Sequence, residues 1–152
     1  YPTWDTDTIK KLSREIEQEL QCDNWKKFIS NLWGNCPKVW NSDLKGEDRN
    51  RAIINIFTRM RYLKPSGDLD FSVKDAPSSK NSGLIPWFNF EGALKRKERI
   101  LFGHWSSLGL IIRKEFVSLD TGCGRGELLT AIRLGDNRIY TNQVIDDIFP
   151  AS

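Results

Sequence analysis

A chain of 152 residues with 39% hydrophobic and 28% charged residues can build a core, and it lacks the bias of a disordered protein. A net charge of +3 with no basic stripe argues against a nucleic-acid binder, and no apolar run nears the roughly 20 residues of a membrane span. Cys22, Cys36 and Cys123 form no C-x-x-C pair, which points to free thiols and a cytoplasmic protein.

The first third reads as helical. Asp5-Thr6-Asp7 offers N-cap side chains, and Ile9, Leu12, Ile16 and Leu20 then recur at helical spacing. Asp23-Asn24 is expected to cap a second helix that buries Trp25, Phe28, Ile29 and Leu32, and Gly34-Asn35-Cys36-Pro37 breaks it. A third helix is expected from about Gly46 to about Met60, with Ala52, Ile53, Ile56, Phe57 and Met60 inward. Arg49, Arg51, Arg59 and Arg61 then form its solvated face. Lys64-Pro65-Ser66-Gly67 is a turn, residues 68–71 a short strand and residues 74–81 a surface loop. Pro86-Trp87-Phe88 is an aromatic anchor, and Ala93–Arg99 is expected to form a helical turn.

The last third reads as β. Strands are expected at 100–102, 116–119, 128–133 and 139–142, with Gly135-Asp136-Asn137 as a hairpin turn. After Val144 the tail frays or forms a short helix. The boundaries are a helical subdomain over 1–63, a loop-rich connection over 64–99, a carboxyl-terminal sheet over 100–144 and a tail over 145–152. All belong to one incomplete domain, because the sheet has too few strands to finish an α/β layer. The chain also begins at Tyr1 without a methionine, as a piece or a processed product would.

His104 is the sole histidine, and it follows the apolar run 100–102 directly. Asp120-Thr121-Gly122-Cys123 ends the run 116–119 in the same way. Strand ends are where α/β sheets hold their chemistry, and an imidazole there can bind a metal or move a proton at neutral pH. The string Asp120-Thr121-Gly122-Cys123-Gly124-Arg125-Gly126 resembles the S-adenosylmethionine motif of Rossmann-type methyltransferases. Its context does not fit, because a hairpin follows where that fold needs a crossover helix and further βα units. A tight glycine turn explains the string more simply, and a non-catalytic interaction domain is the remaining alternative.

The motifs together resemble the symmetrical diadenosine tetraphosphatases of bacteria. The resemblance rests on Asn41-Ser42-Asp43-Leu44-Lys45-Gly46, Arg49, Asn55-Ile56-Phe57-Thr58-Arg59-Met60-Arg61, Gly67-Asp68-Leu69-Asp70, Pro86-Trp87-Phe88, Phe102-Gly103-His104-Trp105 and Leu119-Asp120-Thr121-Gly122-Cys123, in that order over nearly the whole chain. It implies a metallophosphoesterase related to phosphoprotein phosphatases, an αββα sandwich that hydrolyses diadenosine tetraphosphate to two ADP at a divalent metal pair, commonly manganese or cobalt. The chain then corresponds to the carboxyl-terminal half, an α+β fragment with a helical subdomain followed by a small, mostly antiparallel sheet. The family's G-D-x-H-G, G-D, G-N-H and H-A-G motifs are absent, so the metal pair is not expected in this fragment, which should be inactive by itself. Its partners are the missing amino-terminal half and diadenosine tetraphosphate.

On this resemblance His104 is the last metal ligand, and Arg59 and Arg61 are the substrate-binding candidates. Residues two apart on a helix do not share a face, so one of the two arginines binds phosphate and the other is structural unless the helix ends near Arg59. Trp87 and Trp105 are weaker candidates for stacking on adenine, with core packing as the alternative. Glu127 stands where the family has a glycine, which puts an acidic group near a polyphosphate site.

Overall fold

The Asp5 carboxylate accepts a hydrogen bond from the Thr8 amide at 2.8 Å and starts α1, Thr6–Gln21. The computed structural model describes residues 1–143 other than 79, 81, 82 and 96. Leu12 and Ile16 are buried under α1, whereas Leu20 lies on the exposed side of its last turn. Helix α2, Trp25–Ser30, departs from the expected burial. Trp25 and Ile29 are exposed, and only Phe28 and Leu32 are half-buried. Six residues make fewer than two turns, too short for one face to seat all four side chains.

Helix α3, Gly46–Thr58, carries Glu47 and Asp48 in its first turn, where carboxylates suit the amino-terminal dipole. It ends two residues before Met60. The chain turns extended there so that Tyr62 and Leu63 can bury completely as strand β1, Tyr62–Leu63. Phe57 is exposed, although its ring lies 5.5 Å from that of Trp4. The arginines of α3 do not form a solvated face. Arg49 reaches Glu15 on α1 through two hydrogen bonds, Nε at 2.5 Å and Nη2 at 3.0 Å, and lies over the Trp40 ring. The hydrogen bond to Glu15 raises the Arg49 pKa further above its ordinary value. Arg51 is bound by Asp48 and by the Asn31 and Cys36 carbonyls.

Two short antiparallel partners flank β1: β2, Leu69–Asp70, and β3, Ile85–Pro86. Strand β2 falls where the sequence predicts one, while β1 and β3 have two residues each and leave no readable alternation. Pro86 fits an edge strand because it has no amide hydrogen to give. The expected turn at 93–99 is replaced by α4, Glu91–Leu94, after a 3-10 turn at Trp87–Asn89.

The second sheet has the order β4-β6-β5: β4 is Ile100–Phe102, β5 is Ile111–Ile112 and β6 is Phe116–Ser118. Strand β4 runs parallel to β6, with Phe102 opposite Ser118, and β5 pairs antiparallel on the other edge. All of β6 is buried. Strands β7, Leu128–Arg133, and β8, Arg138–Gln143, form the expected hairpin around Asn137, which takes the left-handed φ of 59° that such turns favour. No crossover helix follows Gly126, because the chain enters β7 directly. The tail expectation falls outside the described residues.

The architecture is α+β, with helices first and small mixed sheets after. The chain folds as two interleaved units. One comprises Tyr1–Val73 and Ser78–Glu98, and the other comprises Lys74–Pro77 and the chain from Arg99 onward.

Ser118 separates packing from polarity in the second unit. Its hydroxyl is fully buried without a hydrogen-bond partner among the described residues. An orphaned buried hydroxyl costs about 1–3 kcal/mol, so Ser118→Ala should leave stability unchanged or raise it. Truncating its fully buried neighbour in Val117→Ala should cost about 2 kcal/mol. Chemical denaturation of the two variants measures both.

Candidate functional site

The parallel pairing of β4 and β6 decides where the polar residues of the second unit emerge. Leu119 N donates to Phe102 O at 2.9 Å, so both strands finish together. Gly103-His104 then leaves one strand and Asp120-Thr121-Gly122-Cys123 the other, at the same end of the sheet. A Cβ built on Gly103 would meet the Asp120 Cβ at 3.8 Å. His104 is exposed, and its backbone is left-handed with φ 61°.

The Asp120-Thr121-Gly122-Cys123 end is a tied turn. Asp120 Oδ1 accepts from Gly122 N at 3.2 Å, and Gly122 O accepts from Arg125 N at 2.8 Å and Glu127 N at 3.1 Å. Thr121 Oγ1 donates to Leu128 O at 2.7 Å and lies 2.7 Å from the Thr130 hydroxyl. Gly122 has φ 83°, a conformation that strains any L side chain, and a Cβ there would displace the Glu127 carboxylate from its present position. Glu127 therefore folds back over Gly122, although it stays exposed.

The arginine candidates belong to the first unit. Because α3 stops at Thr58, neither Arg59 nor Arg61 is held to opposite faces of a helix. Arg59 spends its guanidinium on the loop before α3. Its Nη1 donates to Gly34 O at 3.1 Å and Asn55 Oδ1 at 2.9 Å, its Nη2 to Asn35 Oδ1 at 2.8 Å, and its plane lies over Phe71. Arg61 is half-buried next to β1, and its carbonyl accepts from Trp87 N at 2.9 Å. Trp87 and Trp105 are buried, which is core packing.

A metal pair needs several carboxylate and imidazole ligands held together. Among the described residues no group of three His, Cys, Asp or Glu side chains could hold a metal ion. His104 fits as a single ligand by exposure and chemistry, and the described residues do not complete a centre around it.

No family model matches the chain. It is 42% identical over 136 residues to a symmetrical bis(5'-nucleosyl)-tetraphosphatase of Bordetella pertussis, a match covering 90% of this chain and 49% of the relative. A protein of the same name from Aromatoleum aromaticum is 40% identical over 139 residues, covering 91% and 51%. One from Burkholderia mallei is 38% identical over 136 residues, covering 90% and 48%. The chain is a relative of the symmetrical bis(5'-nucleosyl)-tetraphosphatases. It spans about half the length of the curated relatives it matches, in keeping with the expected carboxyl-terminal half.

Asn55 and Trp105 carry structural roles beyond those expected from the sequence. Asn55 is 1% exposed and joins α3 to the loop by donating to Gly34 O at 3.0 Å while receiving Arg59. Its signal was an amide inside the apolar stripe of Ala52, Ile53 and Ile56. Trp105 is the second, and its indole N–H reaches the Lys74 and Asp75 carbonyls at 3.1 and 3.3 Å. Nothing in the sequence marks that pairing.

Arg59→Ala removes three hydrogen bonds and a ring contact, so it should cost about 2 kcal/mol in a denaturant titration. Asp70 sets a pH dependence. It accepts the Ser72 hydroxyl at 2.6 Å and the Ser72 and Val73 amides at 2.9 and 3.3 Å, and the Ser72 hydroxyl bond is the main reason its pKa lies below the ordinary carboxylate value. A lowered folded pKa means the ionised form is favoured in the native state. The stabilisation is complete above about pH 4 and disappears as pH falls through the lowered value. Asp70→Asn should therefore lower stability at pH 7, leave it nearly unchanged below the lowered pKa, and so flatten the acid limb of a stability–pH profile.

Proposed function

We propose that this chain supplies half of a hydrolase that splits diadenosine tetraphosphate with one water into two ADP. The observation that supports this most is the parallel pairing of β4 with β6, which brings His104 and the Asp120-Thr121-Gly122-Cys123 turn to one end of a sheet. The names of the relatives support the substrate class. On this reading His104 is one ligand of a divalent metal pair, manganese or cobalt, and the other ligands come from the half of the relatives' length outside the match. Such a pair supplies Lewis acidity and a water of lowered pKa.

The chain's own residues then divide their work. Arg61 meets phosphate oxygens, for which a guanidinium fork is well shaped. Arg59 holds the 34–35 loop in place. Glu127, folded against Gly122, puts negative charge beside the Asp120 turn and tunes which anions approach it. No helix among the described residues is long and apolar enough to cross a membrane. The three free cysteines suit a reducing cytoplasm.

A lone imidazole cannot hold two metals, so the 152-residue chain, its mass confirmed, should release no ADP from diadenosine tetraphosphate in manganese. Joined to the complementary half of the Bordetella pertussis relative, it should hydrolyse the dinucleotide. His104→Ala in that two-part enzyme should lower kcat by more than about 100-fold. Steady hydrolysis by the isolated chain, or full activity of the His104→Ala enzyme, would refute the proposal.

A further inference from the structure

Among the described non-glycine residues only His104 and Asn137 have positive φ. Asn137 turns a hairpin, where that conformation belongs. His104 turns none, and a left-handed L-residue persists only where its surroundings over-determine it. On one side Phe102 is tied to β6 through Leu119. On the other side Trp105 is 1% exposed, and its indole N–H is shared between Lys74 O and Asp75 O. The Trp105 carbonyl also closes the 3-10 turn that follows, accepting from Leu108 N at 2.9 Å, and Ser107 adds a hydroxyl bond to Lys74 O at 2.7 Å. Gly103 is not the cause, since a Cβ there would make only an ordinary contact with Asp120.

We propose that Trp105 is the positioning residue for His104: with the indole seated in the core and bonded to the 74–75 backbone, the chain can reach that seat only by passing through the left-handed region at His104, which turns the imidazole outward at the sheet end. The purpose of this arrangement rests on the reading of His104 as a metal ligand, but the geometry stands apart from it. The anchor fixes the backbone at His104 before any metal arrives, so the backbone part of the ordering cost is not incurred on binding.

Because the chain has one histidine, its ring gives one set of C–H signals in NMR. Trp105→Phe retains an aromatic ring and deletes the N–H. The His104 Cα and Cβ shifts should move from left-handed to extended or averaged values, the ring signals should shift or split, and amide exchange at 104–106 should quicken by about ten-fold or more. Leu12→Ala, a core truncation in the other unit, is the control for general destabilisation and should leave the His104 signals in place. Unchanged His104 shifts and exchange in folded Trp105→Phe would overturn the proposal. Should that variant not fold, the unmodified chain decides: the Trp105 indole hydrogen should exchange about 100-fold more slowly than a free indole, and exchange at the free rate overturns the anchor. A displaced His104 in Trp105→Phe, together with full hydrolysis by the His104→Ala two-part enzyme, would keep the anchor and reject the ligand.

Discussion

Strand β6 is hydrogen-bonded on both edges, and the placement of the second unit's polar residues follows from that. A parallel neighbour needs the chain to travel from the end of one strand back to the start of the next. Here the return from Phe102 to Phe116 carries its own short strand, β5, across to the far edge of β6. All three residues of β6 are buried, so a slip of one position would force a different set of side chains into that space. Once the register is set, His104 and Asp120 have no choice but to leave at the same end. The glycines at 122 and 126, both left-handed, then allow the chain to reverse into β7 within a few residues.

The first unit depends on satisfying buried polar groups. Leu12, Ile53, Tyr62, Leu63 and Leu69 pack its core, and arginine side chains add polar joins between its elements. Arg49 links α1 to α3, Arg51 links α3 to the loop at 31–36, and Arg59 links the end of α3 to the same loop and to Phe71. Asn55 sits between them as donor and acceptor. Buried polar groups are retained only where their partners are in place, and these bonds tie that loop to α3 despite its glycine and proline.

Legibility in the sequence followed element length. Helix α1 and the β7–β8 hairpin could be read because a cap, a periodicity and a turn signal each spanned enough residues to agree. Strands β1, β3 and β5 could not, since two residues show neither alternation nor a boundary. Arginines on α3 were misread as a solvated face because charge type is visible in a sequence and its partner 34 positions away is not. The end of α3 was placed late for a related reason: Met60 fits the helical stripe locally, but the burial of Tyr62 and Leu63 in a sheet outweighs it. His104 stood out as a lone imidazole at a strand end. Its backbone conformation, and the indole that imposes it, became visible only in three dimensions.

The interleaving of the two units has a consequence for how the chain comes to be folded. Residues 74–77 belong with the segment after Arg99, although they are made before the last piece of the first unit. As the chain emerges in order, the Thr6–Glu98 hydrogen bond spans 92 residues, and the Lys74 and Asp75 carbonyls meet the Trp105 indole only 31 and 30 residues later. No single cut in the backbone yields both units whole. A ribosome pausing between residues 78 and 98 would leave each unit without its last segment.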